Sequence, residues 1–526
     1  MTSRVLPFGD RAVLAECDTL EDVLALHARL AASRPDGVVD LVPAARTVLV
    51  HVDPGRLSLA AARAWIARLG TTPVARAADA PVVELPIVYD GPDIEDVALE
   101  LGLSAADLAA QHATCEWTVA FTGFAPGFGY LVSDGWTHDV PRRASPRTRV
   151  PAGAVGIAAG FTGAYPRETP GGWQLIGTTS APLFRPDASP PALLAPGTRV
   201  RFVPAPAGAL GDRHAPPLPV TSETAPADDV APGTAATPAP VLRIEAPGAF
   251  ATVQDAGRVE HAAEGIAVSG AADRAALRRA NRLVGNPEDA AVIEVALGGF
   301  RAVAQADLWV AITGAWGPMR LGGRQVDASA AHRWRRGDEL ELGAFDRGLR
   351  ACIAVRGGLG GVADVGSRST DTLSGLGPRP LRAGDVLTIS DPRPTRPVPP
   401  EDLHPWNPPG GVIDVEVAPG PRADWFADPL ALFETSWTVS PQADRVGIRL
   451  DGDPLVRSRD GELPSEGMLP GAIQVPPDGR PVILGPDGPV TGGYPVIGVV
   501  ADASRDVLAQ ARPGTRIRFR HARLIG

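Results

Sequence analysis

PAGAVGIAAGFTGAYPRETPGGWQLIGTT, residues 151–179, decides the reading of the fold, because its pattern returns further along the chain. The first copy opens on small residues at Pro151. It continues through Gly171-Gly172-Trp173-Gln174-Leu175-Ile176-Gly177 and closes on Pro196-Gly197-Thr198-Arg199-Val200-Arg201-Phe202. The last copy keeps the order with Pro470-Gly471-Ala472-Ile473-Gln474-Val475, then Gly492-Gly493-Tyr494-Pro495-Val496-Ile497-Gly498, then Pro513-Gly514-Thr515-Arg516-Ile517-Arg518-Phe519. A fainter middle copy runs through Gly357-Gly358-Leu359, Val365-Gly366-Ser367-Arg368-Ser369-Thr370 and Gly384-Asp385-Val386-Leu387-Thr388-Ile389. The unit is too long for a solenoid repeat of roughly 20 to 50 residues. Three related β-domains in one chain are expected.

Composition agrees with that expectation. A chain of 526 residues exceeds one hydrophobic core, and domains of roughly 100 to 200 residues each would fill it. The 59 glycines and 55 prolines, with few long helical patterns, favour turn-rich β architecture. A net charge of −10 argues against nucleic acid as a main partner. All 50 basic residues are arginine. The chain therefore has no biotinyl-lysine, no Schiff base, no pyridoxal phosphate linkage and no P-loop lysine. Cys17, Cys115 and Cys352 lie far apart without metal-ligand spacing, and Cys352, inside the apolar run 351–355, reads as a buried small hydrophobe. The start lacks a basic segment followed by an apolar one, and no apolar run reaches membrane-spanning length, so a cytoplasmic protein with no membrane partner is expected.

In chain order, residues 1–80 read as a small α/β or α+β module, with Ser58 as the N-cap of a helix over 58–69. Residues 81–207 hold the first repeat. There Trp117 to Leu131 interleaves five aromatics with glycine and proline, the pattern of a strand entering a tight loop. Phe124, Pro126, Gly127, Phe128 and Tyr130 either line a ligand or plug a core. Next comes a cluster of arginines, Arg142, Arg143, Arg147 and Arg149, between prolines. It is either a solvated face or a clamp for carboxylate or phosphate, for which planar guanidinium is suited. Residues 208–240, rich in proline, alanine and acidic groups, read as an extended tether with the look of a fusion joint. Residues 241–400 and 401–526 hold the middle and last repeats, separated by the proline-rich stretch 392–409. Gln254, Asp255, Arg258, Ser269 and Asp273 crowd glycine turns, which suits a binding loop, while helix caps and Asx-turns explain Asp255 and Asp273 equally well.

The blocks FTGFAPGFGYL, PRRASPRTRVPAGAVGIAAGFTGAYPRETPGGWQLIGTT, TVQDAGR, ANRLVGNPEDAAVIEVALGG, GSRST and SEGMLPGAIQVPPDGRPVILGPDGPVTGGYP resemble a fusion of the B and C components of 5-oxoprolinase. These components are also known as KipI and KipA, or as the two allophanate-hydrolase components, and resemble the carboxyltransferase part of urea carboxylase. The resemblance covers nearly the whole chain. It implies a mainly β fold of three cyclophilin-like barrels plus the small N-terminal α/β domain. It further implies ATP-dependent opening of 5-oxo-L-proline to L-glutamate, with ATP and Mg acting in a complex with a separate 5-oxoprolinase A component of the LamB/YcsF type. Such a step calls for a positive clamp on phosphoryl and carboxylate oxygens. Arg142, Arg147, Arg258, Asp255 and Arg445 are the catalytic candidates. Phe124, Pro126, Gly127, Phe128, Tyr130, Arg143, Gln254, Ser269, Asp273, Arg368, Ser369, Thr370, Gln474 and Tyr494 are the substrate-binding ones. No metal ligand is assigned. The expected partners are the LamB/YcsF-type component, a small-molecule substrate and a second copy of the chain. The chain departs from the usual family pattern at Ala154, Phe161, Ala164, Pro489 and Val496, each time losing a polar or larger group. Two other readings stand beside the hydrolase: a carboxyltransferase component that uses biotin on a partner, and a KipI-type regulator of a histidine kinase.

Overall fold

The computed structural model describes residues 2–69, 82–143, 145, 147–206, 208, 240–390, 396–399, 406–459, 461 and 463–523. Most of the expected tether at 208–240 and most of the proline-rich stretch 392–409 lie outside the described residues. Two compact units result, one of Met1–Arg76, Ala120–Pro126 and Pro240–Gly526, the other of Ala77–Val119 and Gly127–Ala239. The fold is mainly β, and among the described residues no helix is long and apolar enough to cross a membrane.

In the first unit the N-terminal module is a four-stranded antiparallel sheet, so of the two forms open to the sequence it takes the α+β one. Its helices, Leu20–Ala32 and Leu59–Arg68, start where Thr19 and Ser58 accept the N–H of Asp22 and Ala61. Consecutive strand residues point to opposite faces. Val13, Ala15, Val48 and Val50 pack on the helices through Leu26, Leu30 and Trp65. Leu14, Leu49 and Val42 pack on Met468, Leu469, Val490 and Val499 of the last barrel. This sheet is therefore buried on both faces. Each fully buried Leu or Val side chain contributes roughly 1.5–3 kcal/mol, so the module is built into the unit.

The middle repeat is made as two sheets, of six and five strands, around one core that includes Leu242, Ile244, Phe300, Leu340, Ile293, Ile312 and Ile353. The last repeat is a closed seven-stranded barrel. In the second unit the first repeat forms a seven-stranded sheet whose ends meet through a bridge between Val88 and Thr178.

Strand pairing shows how closely the first and last repeats correspond. Val82–Ile87 lies parallel to Arg199–Pro204, as Val412–Pro419 lies parallel to Arg516–His521. Trp117 sits opposite Val200, and Trp437 opposite Ile517. Each indole donates to the carbonyl five residues back, Trp117 to His112 at 3.1 Å and Trp437 to Leu432 at 2.9 Å. In the middle repeat the closing strand Val386–Thr388 instead runs antiparallel to Pro240–Pro247.

Candidate functional site

In the second unit two arginines of the cluster converge on one carboxylate. Asp93, buried just before the helix Ile94–Glu100, accepts from Arg143 Nη1 at 2.9 Å, Arg147 Nη2 at 2.7 Å and the Leu175 N–H at 2.7 Å. Burial alone would raise its pKa. The hydrogen bonds from Arg147 and Leu175 and the charges of both arginines outweigh burial and hold it below the usual value. Arg142, beside Arg143 in the chain, is exposed. The segment therefore carries more guanidinium charge than Asp93 neutralises. Arg147 Nη1 and Arg143 Nε are buried without a hydrogen-bond partner among the described residues.

An aromatic floor belongs to the same barrel. Phe128 is its centre, edge-on to Tyr130, Tyr165 and Trp173 at ring separations of 5.2, 5.0 and 5.3 Å. Burial pushes the hydroxyl of Tyr130 up to about 12, against the pull of Arg142, and burial together with Tyr130 does the same for Tyr165. Both stay protonated at neutral pH. Of the two readings of this loop, Phe128 follows the core one and is fully buried. Gly127, in the left-handed region at φ 76°, lets the chain pass close to Phe184.

The candidates from the C-terminal part sit in the first unit, most of them in one buried polar network. Asp255 Oδ1 accepts from Ser367 Oγ at 2.6 Å and the Gly257 N–H at 2.8 Å, and Oδ2 accepts the Arg368 N–H at 2.6 Å. Ser369 Oγ lies 2.5 Å from the same carboxylate. Arg258 donates to the carbonyls of Asp364 and Ser369, and Gln254 Nε2 donates to Thr370 O at 2.9 Å. Ser269 Oγ lies 2.8 Å from Asp487 Oδ1. Arg445 is only 4% exposed and is paired with Glu294 at 2.6 Å and Asp487 at 2.9 Å. It joins the last barrel to the middle repeat. Asp273 caps the helix Arg274–Leu283 by accepting the Ala276 N–H, and Gln510 donates to its other oxygen. Burial, against that hydrogen bond, pushes its carboxyl up to about 6. For Asp255 and Asp273 the Asx-turn and cap geometry is present.

The remaining candidates also lie in the first unit. Gln474 is buried with Nε2 3.5 Å from Met468 Sδ, while Tyr494 is 41% exposed. Phe124 is 39% exposed and Pro126 buried. A cavity of about 480 Å³ on the last barrel is lined by residues around Leu455, Arg457 and Pro477, none of them a sequence candidate.

Sequence reasoning missed Asp93, Asp487 and Glu294, the carboxylates that pair with the arginines. A signal for Asp93 was present in the repeat: it lies two residues past Gly91, as Arg422 lies two past Gly420. A Cβ on Gly91 would lie 2.3 Å from Leu175 O, and one on Gly420 2.5 Å from Val496 O. Neither position accepts a side chain.

Residues 264–521 match the family model for the carboxyltransferase domain, subdomain A and B, and residues 3–194 that for subdomain C and D. The chain is 36% identical over 285 residues to the C component of 5-oxoprolinase from Escherichia coli K12, covering 53% of this chain and 90% of that one. It is 52% identical over 125 residues to the B component of 5-oxoprolinase from Escherichia coli O157:H7, covering 23% of this chain and 57% of the relative. A urea amidolyase of Lachancea kluyveri is 32% identical over 307 residues, 53% of this chain but 17% of that protein. Among solved structures TTHA0988 superposes with a TM-score of 0.81 at 35% identity, covering 97% of this chain and 99% of that one. Both halves having such relatives, the chain belongs to the carboxyltransferase-domain family that includes the B and C components of 5-oxoprolinase, with a B-like part followed by a C-like part.

Proposed function

We propose that this chain supplies the B and C parts of a cytoplasmic 5-oxoprolinase-type enzyme. Such an enzyme is an ATP-dependent lactam hydrolase that opens 5-oxo-L-proline to L-glutamate together with a separate LamB/YcsF-type component. The observation that carries this reading is the arginine segment 142–147 at Asp93, with buried donors left unpaired beside an aromatic floor. When bound, ATP supplies the phosphoryl group that makes the lactam carbonyl reactive to water. Arg142 and Arg147 bind and orient the anionic oxygens of this chemistry, carboxylate and phosphoryl alike. Phe128, Tyr130, Tyr165 and Trp173 exclude water from that side. Mg is assigned to the nucleotide and the partner.

The test is ATP hydrolysis and glutamate release from 5-oxoproline by this chain mixed with the LamB/YcsF-type component. Arg142→Ala is the variant of choice because Arg142 is exposed, whereas truncating Arg147 also removes a partner of buried Asp93. A loss of about 10²–10³ in kcat/KM with unchanged Tm is expected. Wild-type turnover in Arg142→Ala, or none in the wild type, would reject the reading.

The likeness to urea amidolyase favours a second reading, a carboxyltransferase component of a biotin-dependent carboxylase. With no lysine in the chain, biotin would have to arrive on a partner. Carboxylation of urea with a biotinylated partner, and no glutamate release, would select it.

A further inference from the structure

The segment Ala120–Pro126 belongs to the first unit. Phe121 and Thr122 before the apex, and Ala125 after it, are buried, yet Phe124 is 39% exposed. Its backbone lies in the left-handed region at φ 66°, and the Ala125 N–H donates to Gly123 O at 2.7 Å, closing a three-residue turn around it. Such a conformation in a non-glycine residue is unfavourable and persists only where the surroundings impose it.

Three anchors impose it here. The Thr122 hydroxyl donates to the Ala263 carbonyl. Gly123 lies so close to Thr491 that a Cβ would fall 2.0 Å from Oγ1, and the Ala125 carbonyl lies against Gly265. Tyr494, two residues past the strand Thr491–Gly492, is also exposed. A strained backbone and a partly exposed apolar ring both oppose folding. A segment so firmly anchored in spite of them is suited to presenting that ring to a ligand.

We propose that Phe124 is a specificity-determining residue, the platform on which the planar amide of the substrate lies. The proposal rests on the reading of the chain as an amide- or lactam-processing component. A phenyl face is complementary to a flat, delocalised amide, and gains less from a puckered ring of the same size.

Binding of 5-oxoproline, 2-pyrrolidinone and urea to the full chain is measured by saturation-transfer NMR titration, with proline as the non-planar control. Phe124→Ala should weaken all three amides about tenfold, and Phe124→Tyr should restore them. Phe124→Gly, which relaxes the turn, should leave Tm no lower than wild type and still bind like the alanine variant. A purely structural Phe124 would show the reverse, lower Tm and unchanged affinity. Equal affinity of wild type and Phe124→Ala, or no binding of any planar amide by the wild type, overturns the proposal. Planar amides that bind through Phe124, without turnover of 5-oxoproline in the presence of the LamB/YcsF-type component, would reject the hydrolase reading and leave the platform standing.

Discussion

Two residues past its close-packed glycine the first barrel carries Asp93 and the last barrel carries Arg422. Asp93 N–H donates to Leu175 O at 3.0 Å, and Arg422 N–H to Val496 O at 3.0 Å, so the two occupy equivalent backbone positions. Their partners are equivalent too: Arg147 pairs in register with Gly171, and Glu466 with Gly492. The ion pair is thus reversed in sign between the barrels. In the first barrel one carboxylate meets a surplus of arginines. In the last, Arg422 is shared by Glu466 and by Glu16 of the N-terminal module, which also lays Leu49 over Gly467. The same scaffold therefore gives a cationic rim in one repeat and a neutralised seat for another module in the other. Pairing charge, rather than strand order, sets what each rim does.

The largest effect should come from Arg422→Ala, which strands the buried Glu466 and removes the partner of Glu16. A loss of about 3–5 kcal/mol is expected in denaturant melts of the full chain, whereas Arg147→Ala, which leaves Asp93 with Arg143 and the Leu175 N–H, should cost about 1–2 kcal/mol. Equal losses would mean that the two pairs are buried alike.

Acid should separate the barrels next. Where the last barrel has Leu432, the first has His112, fully buried between Tyr89 and Thr162 at 2.8 Å each, with its pKa lowered to about 3 by burial. The unfolded chain takes up a proton on this histidine near pH 6.5 and the folded chain does not, so stability falls as pH drops below 6.5. At pH 5 the loss is about 2 kcal/mol. His51 of the N-terminal module, also lowered to about 3 by burial, acts the same way in the first unit. The comparison is therefore made with His112→Leu. Hydrogen exchange at pH 7 and pH 5 should show amides of 82–119 and 129–178 losing less protection in that variant than in the wild type. Equal loss in the two would remove His112 as the cause.

A smaller change is expected from exchanging signs in the first barrel, Asp93→Arg with Arg147→Glu. Copying the last barrel should keep the fold at a cost of about 1–2 kcal/mol, for the Leu175 N–H and for Arg143, both of which lose the Asp93 carboxylate. Phosphate binding followed by calorimetry should disappear. The smallest effect concerns association. A protease site placed between 209 and 239 should cut the chain into two pieces that still co-elute, because the N-terminal module shares a core with the last barrel. Separation of the pieces would show that this buried face does not hold them.

Residue type and spacing alone were enough for the repeat, the β class, the absence of lysine chemistry, and the local devices at Ser58 and Asp273, both of which accept the cap N–H. Each of these devices depends on neighbours a few residues away, which is why it can be read from the chain. The arginines stood out in the same way. Which of them face outward was settled in three dimensions, because an arginine is neutralised by carboxylates far along the chain: Arg445 by Glu294 and Asp487, Arg147 by Asp93. The same holds for Phe124 and Phe128, four residues apart in one motif. One is held out on a strained turn and the other is closed into a core, as long-range packing dictates.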